Sequence, residues 1–371
     1  PRGGTSGWMG RAKTSPLGVE GVAFGVVQLI PEETSMQLAA ITGTQQCEIR
    51  EVPDPCVAGG FVKVKILAVP MCTEYKMYQK GGEHACLGHE AAGEIAEIAG
   101  STLRKVGDRV VVMPQSPCGE CDLCVRGDYI HCQNVVNMLQ ACGSETGVAT
   151  YAQYCLKQDW LCLPIPEDIS MDHASMACCG LGPAFNAMQR MQVDAFDTVL
   201  VTGLGPVGLG AVVNGVVRGA RVLAVESNEY RADLARQIGA EKVLDPRDPD
   251  VLDQIHSLTG GKGVDKAIDC AGVAAAQRLM VDAVRRRGDA AFVAEAQDFV
   301  LKGSNDMIRK GITLHGIWHW NLADTPRMWD TIRKAKDLLD IQITHRLPMS
   351  RVGEAWDLQL TGECGKIILH P

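Results

Sequence analysis

Four thiols crowd one short stretch of the chain. Cys118, Cys121, Cys124 and Cys132 stand as Cys-x-x-Cys-x-x-Cys-x7-Cys in SPCGECDLCVRGDYIHC. Zn²⁺ has no d-electron preference of its own, and four thiolates from one loop close a tetrahedral site around it. No ligand position is left for a substrate, so the expected role is a structural zinc lobe over about residues 115–135. Two disulfides or an iron–sulfur cluster would draw on the same residues. Disulfides belong to secreted proteins and no clear export signal is visible; bacterial ferredoxin runs end in Cys-Pro, which is missing here.

A second chemistry is written in VLVTGLGPVG, where Gly203, Gly205 and Gly208 form Gly-x-Gly-x-x-Gly around Pro206 and Val207. The first glycine permits a tight turn, the second lets backbone N–H groups approach a pyrophosphate, and the third lets helix and strand pack closely. The next strand, RVLAV, ends in Glu226, where a carboxylate would accept from the adenosine ribose hydroxyls. A carboxylate there repels a 2′-phosphate, so NAD is preferred over NADP; Arg231 lies close by and works against that preference.

These residues need two kinds of scaffold. The chain has 371 residues, 46% of them hydrophobic and 22% charged, enough for two packed cores. Forty Gly and only 5% aromatics suit an α/β architecture of tight turns and doubly covered parallel strands. Up to about residue 170 the alternation is that of short strands, as in FVKVKILA (61–68), 93–98 and 109–113. Beyond it, VLVTG, RVLAV, KVLD, DKAID and DAAFV are separated by helix-length gaps, the pattern of a doubly wound parallel sheet. From about His319 a helical stretch, DTPRMWDTIRKAKDLL, leads back to mixed texture.

The division is therefore 36–184 plus 319–371 for a β-rich domain, and 185–318 for a dinucleotide domain. Residues 1–35 are expected to be an extension outside the fold, with a short targeting peptide as the rival reading. A net charge of −8 speaks against a nucleic-acid partner. The longest apolar run, Val199 to Val217, is broken by Thr202, Pro206 and Asn214 and reads as strand-turn-helix rather than a membrane span. A cytoplasmic location is the default expectation.

Cys72, His89 in the stretch Gly88-His89-Glu90, and Cys178-Cys179 in ACCGLGPA are unremarkable singly. Together with the four-Cys lobe and the glycine-rich turn, they resemble the zinc-containing medium-chain dehydrogenase/reductase family of alcohol, polyol and threonine dehydrogenases. The resemblance runs from Met36 to the closing GKIIL. It implies a Rossmann doubly wound sheet plus a β-rich GroES-like catalytic domain. It further implies a catalytic zinc on Cys72, His89 and Cys179, chosen over Cys178 because CGLGPA matches the family pattern, with Glu90 behind the metal. His84 and Cys86 are read as non-ligands.

The family usually has Ser or Thr, then Asp, two and three residues after its first ligand; here Glu74 and Tyr75 stand there, and Met77 takes the place of a frequent His. The usual proton relay cannot be copied. Glu74 as carboxylate base is favoured over Thr73 through a shifted loop or Tyr75 as phenol. A solvated Glu74–Lys76 pair is the plain alternative. The implied reaction is NAD-dependent oxidation of an alcohol or polyol hydroxyl, by a homodimer or homotetramer acting on a small alcohol or carbonyl substrate. The competing readings are a zinc-free enone or quinone reductase of the same superfamily and a non-catalytic nucleotide-binding protein. Trp318, His319 and Trp320 either line a pocket or a subunit contact, or simply pack a domain junction.

Overall fold

A computed structural model describes residues 35–100, 103–296 and 298–371. Apart from Ser35, which opens the first strand, the segment 1–35 lies outside the described residues.

The first half is β-rich. β1 (Ser35–Gly43) and β2 (Gln46–Pro53) form an antiparallel hairpin. β3 (Phe61–Pro70), β4 (Ala91–Ile98), β5 (Arg109–Val112), β6 (Tyr154–Gln158) and β7 (Cys162–Pro164) follow. β3 departs from the half-buried strand that its alternation suggests, since of its ten residues only Lys65 is exposed. The reason is position: β3 pairs with β4, β6 and the last strand of the chain. Lys63 is tolerated there because Asp54 (3.0 Å) and Glu97 (2.9 Å) hold its ammonium.

Six parallel strands make the second half: β8 (Thr198–Thr202), β9 (Arg221–Val225), β10 (Lys242–Leu244), β11 (Val264–Asp269), β12 (Val284–Phe292) and β13 (Thr313–Gly316). Their order is β10-β9-β8-β11-β12-β13, with the crossover between β10 and β11 reversing the direction of growth. The strand cores are apolar on both faces because helices cover both. One irregularity stands out. β11 and β12 pair at Val264–Val284 and next at Lys266–Asp289, so Arg285 to Gly288 bulge out against the single residue Asp265.

The chain then returns to the first sheet. Helices Thr325–Lys334 and Lys336–Gln342 lead to β14 (Ile343–Pro348), and β15 (Lys366–His370) lies between β14 and β3. Between them, helix Val352–Thr361 buries Trp356, which stacks on Tyr78 (5.0 Å) and Tyr151 (5.9 Å). Among the described residues no helix is long and apolar enough to cross a membrane.

Candidate active site and cysteine lobe

In the cysteine lobe the sulfurs of Cys118 and Cys124 are 3.9 Å apart, Cys121 and Cys124 3.5 Å, Cys121 and Cys132 3.8 Å, and Cys118 and Cys132 3.5 Å. A tetrahedron with metal–sulfur bonds of about 2.3 Å has edges of about 3.8 Å, so this donor set fits zinc as it stands. All the cysteines of the chain are free thiols. Backbone N–H groups of Glu120 and Cys121 draw the Cys118 thiol down to about 6, while burial pushes Cys124 up to about 12. β6 anchors the entry to the lobe. The buried Lys157 ammonium donates to the Gln115 carbonyl, and Gln158 Nε2 to that of Pro117 at 2.9 Å.

The second cluster joins three distant segments. Cys72 follows β3, His89 sits in the turn before β4, and Cys179 lies in the loop before helix Gly182–Arg190. Ligand atoms of Cys72, His89, Glu90 and Cys179 all lie within 4.8 Å of one another, with His89 Nε2 at 3.2 Å from Cys179 Sγ. The turn is enforced at Gly88, whose φ of 82° and proximity to Thr150 and Tyr151 exclude a side chain. Cys178 points elsewhere, its buried thiol facing the Val112 carbonyl at 3.5 Å. His84 and Cys86 are outside the group.

Carboxylates brace this cluster on two sides. Glu90 is 1% exposed; Oε2 accepts from the Cys179 N–H at 2.7 Å and Oε1 pairs with Lys366 Nζ at 3.1 Å. Glu74, 6% exposed, accepts from His89 Nδ1 at 2.9 Å on Oε1, and from Tyr151 Oη (3.2 Å) and Cys72 N (3.3 Å) on Oε2. Against the cost of burial, the bond to His89 and the charges of His89 and Lys366 hold Glu74 below the usual carboxylate value. The hydrogen bond from Cys179, then His89 and Lys366, hold the Cys72 thiol well below its ordinary range despite burial. Burial raises Glu90.

Both oxygens of Glu74 thus accept hydrogen bonds, and its burial sets aside a solvated Glu74–Lys76 pair. Thr73 is exposed, and Tyr75 packs part-buried against the β-rich core. Sequence reading missed Lys366 and Tyr151. Lys366 carried a faint signal, a lysine inside the apolar terminal strand; the Tyr151 contact carried none.

At the glycine-rich turn, Gly203 adopts φ 81°, no atom lies within 4 Å of a Cβ built on Gly205, and one on Gly208 would fall 1.9 Å from the Gly203 carbonyl. Pro206 begins the helix Pro206–Val217, which presents its N-terminal N–H groups at the turn, beside Val207. Glu226 Oε2 accepts from Leu204 N (2.7 Å), and Oε1 from Ser227 N (2.8 Å) and Asn228 N (2.9 Å). Arg231 lies against the C-terminal segment, its guanidinium carbon 3.7 Å from a Cβ placed on Gly362.

The two sites touch. Gln342 Nε2 donates to the carbonyls of Gly180 (3.4 Å) and Pro206 (2.9 Å), and a Cβ on Gly210 would fall 1.8 Å from the Gly180 carbonyl. Of the aromatic trio, Trp320 packs inside the molecule and Trp318 does not. Trp318 is 47% exposed and edge-on to His131, whereas Trp320 is buried and donates to the Ala177 carbonyl at 2.8 Å. His319 is buried against Tyr129, 3.4 Å from its hydroxyl, and burial, then the charge of His89, lowers its pKa to about 3.

Residues 59–167 match the alcohol dehydrogenase GroES-like domain family and 206–334 the zinc-binding dehydrogenase family. A sorbitol dehydrogenase of Bacillus subtilis is 29% identical, the match covering 91% of this chain and 98% of the relative. An L-threonine 3-dehydrogenase of Pyrococcus furiosus is 30% identical over 90% of this chain and 99% of its own. Among solved structures, an alcohol dehydrogenase from Thermotoga maritima superposes with a TM-score of 0.79 at 26% identity, covering 91% of this chain and 100% of that one. With both halves matched and relatives aligned nearly end to end, the chain belongs to the zinc-type medium-chain dehydrogenase family of alcohol dehydrogenase-like oxidoreductases.

Proposed function

We propose that the chain oxidises an alcohol or polyol hydroxyl to an aldehyde or ketone, with NAD preferred over NADP. One zinc would be held by Cys72, His89 and Cys179, and a second by the four-Cys lobe. The observation that carries this reading is the convergence of two thiols and one imidazole from three segments, on a loop that packs against the dinucleotide turn. The donor set suits zinc, since two sulfurs and one nitrogen make the three-ligand arrangement that keeps a fourth corner available. When bound, zinc supplies Lewis acidity toward the substrate oxygen and the nicotinamide supplies a hydride acceptor.

The chain's own residues do the positioning. Glu74 accepts a hydrogen bond from His89 Nδ1–H, which fixes the ring and leaves the Nε2 lone pair for the metal. It is a positioning residue in this reading, replacing the accepting base expected from sequence. Thr73, exposed beside Cys72, is the hydroxyl left to pass a proton to solvent. Glu90 holds the Cys179 backbone, and Lys366 keeps Glu90 charged. The Glu226 carboxylate at the turn supports NAD over its phosphorylated analogue. A homodimer or homotetramer in the cytoplasm is part of the same proposal.

Metal analysis of purified protein should find two zinc ions per chain. Primary alcohols, secondary alcohols, polyols and hydroxy amino acids, each assayed with both cofactors, should yield NADH from at least one class. Zinc-loaded, NAD-binding protein that is inert toward the whole panel would refute the activity. A Thr73→Ala variant should lower kcat with little change in KM.

A further inference from the structure

The β11/β12 bulge has no part in the reaction just proposed. It sets three consecutive arginines, Arg285, Arg286 and Arg287, at the start of β12, and Arg287 is held in the left-handed region at φ 64°. A non-glycine residue in that conformation is costly and concentrates where structure serves a purpose other than stability. Together with His256, Lys262, Arg309 and Lys310, and with one carboxylate, Asp282, the first two arginines line a cavity of about 320 Å³. β8 to β13 run parallel, and the glycine-rich turn follows the C-terminal end of β8, so this cavity lies at the opposite end of the sheet.

The charge balance around the cavity is uneven, although the whole chain carries −8. The carboxylates of Asp265, Asp282, Asp289 and Asp306 are each committed to a cation. Asp282 and Asp306 are bound by Arg278 (2.7 Å each), Asp265 by Arg285 (2.6 Å), and Asp289 by Lys266 (2.7 Å) and His315 (3.1 Å). Among the described residues, Lys262, Arg286, Arg309 and Lys310 have no carboxylate partner. Lys310 is part-buried and donates only to the carbonyls of Val281 and Asp282, and burial holds it below the ordinary lysine value. Four cations outside any ion pair, set around one concavity that holds the single carboxylate Asp282, give it a positive potential.

We propose that this cavity is a binding site for a small anion bearing two or more adjacent phosphates, distinct from the dinucleotide turn. The volume is that of a small-molecule site. Guanidinium forks match phosphate oxygens two at a time, and clustered cations favour a ligand whose charge is equally concentrated. The net negative charge of the rest of the chain speaks against a nucleic acid as the occupant.

The test is calorimetric titration of the full chain with inorganic triphosphate at low ionic strength, repeated with the Arg286→Glu/Arg309→Glu double variant. Both side chains are exposed and neither pairs with a carboxylate, so the variant should keep its thermal midpoint in the absence of ligand. The wild type should bind, less tightly as salt is raised, and the double variant should bind at least tenfold more weakly. Equal affinity in the two proteins would place the anion elsewhere, including at the dinucleotide turn, and overturn the proposal. So would absence of binding by the wild type, or a preference for citrate over triphosphate. None of these readouts depends on dehydrogenase activity.

Discussion

Replacing Lys366 by Met removes a charge from a place that water does not reach. The side chains of Lys366 and Glu90 are 0% and 1% exposed, and their charged atoms are 3.1 Å apart. Met fills much the same volume, so the packing change is small. The cost arises at Glu90, whose carboxylate keeps only the Cys179 N–H. Breaking a buried pair from one side costs about 3–5 kcal/mol, because the remaining charge is stranded in a low dielectric. The neutral pair Lys366→Met/Glu90→Gln still offers the Cys179 N–H an acceptor and should cost about 1 kcal/mol. Urea unfolding of EDTA-treated wild type, both single variants and the double variant gives the coupling energy, provided that the slopes stay constant. A loss below about 1 kcal/mol for Lys366→Met, or strict additivity of the two singles, would refute the view that this pair is what keeps a charged carboxylate behind the cluster.

Gly210→Ala places a methyl group 1.8 Å from the Gly180 carbonyl, so helix and ligand loop must separate; overpacking of this kind costs about 1–3 kcal/mol, and zinc content should fall along with the thermal midpoint. Cys121→Ser should remove one zinc of the two and lower the midpoint while leaving the second metal in place, as elemental analysis and calorimetry would show. Burial lowers Lys157 to about 8, so between that value and the ordinary lysine value of about 10.4 the unfolded chain binds more protons than the folded one and stability rises with pH. The stability of Lys157→Met, measured from pH 7 to 10.5, should lack this rise; an identical slope in both proteins would show that Lys157 is not the source.

What could be read in advance was what is local. The four-Cys spacing and the glycine-rich turn are short-range patterns whose chemistry follows from residue type. Strands β8 and β9 are apolar runs between turn signals. The role of Glu74 was not legible in the same way. Its neighbours in sequence suggest a carboxylate at a cleft, but its partners, His89 and Tyr151, arrive through the turn before β4 and the approach to β6. The Arg285–Gly288 bulge was hidden for a related reason. A run of arginines before a glycine reads as a solvated loop, and only the register between β11 and β12 shows that it interrupts a strand. β3 was misjudged because alternation cannot reveal how many neighbours a strand will have.

Cys179 is gripped from both halves of the molecule. Its own N–H hangs on Glu90, beside β4, while the carbonyl of the following glycine is pressed against the helix of the glycine-rich turn and tied by Gln342 to Pro206. A rotation of one half against the other would keep all of these contacts only if its axis passed close to this residue. Near such an axis the spacing of Cys72, His89 and Cys179 would stay nearly constant while the far rim moved.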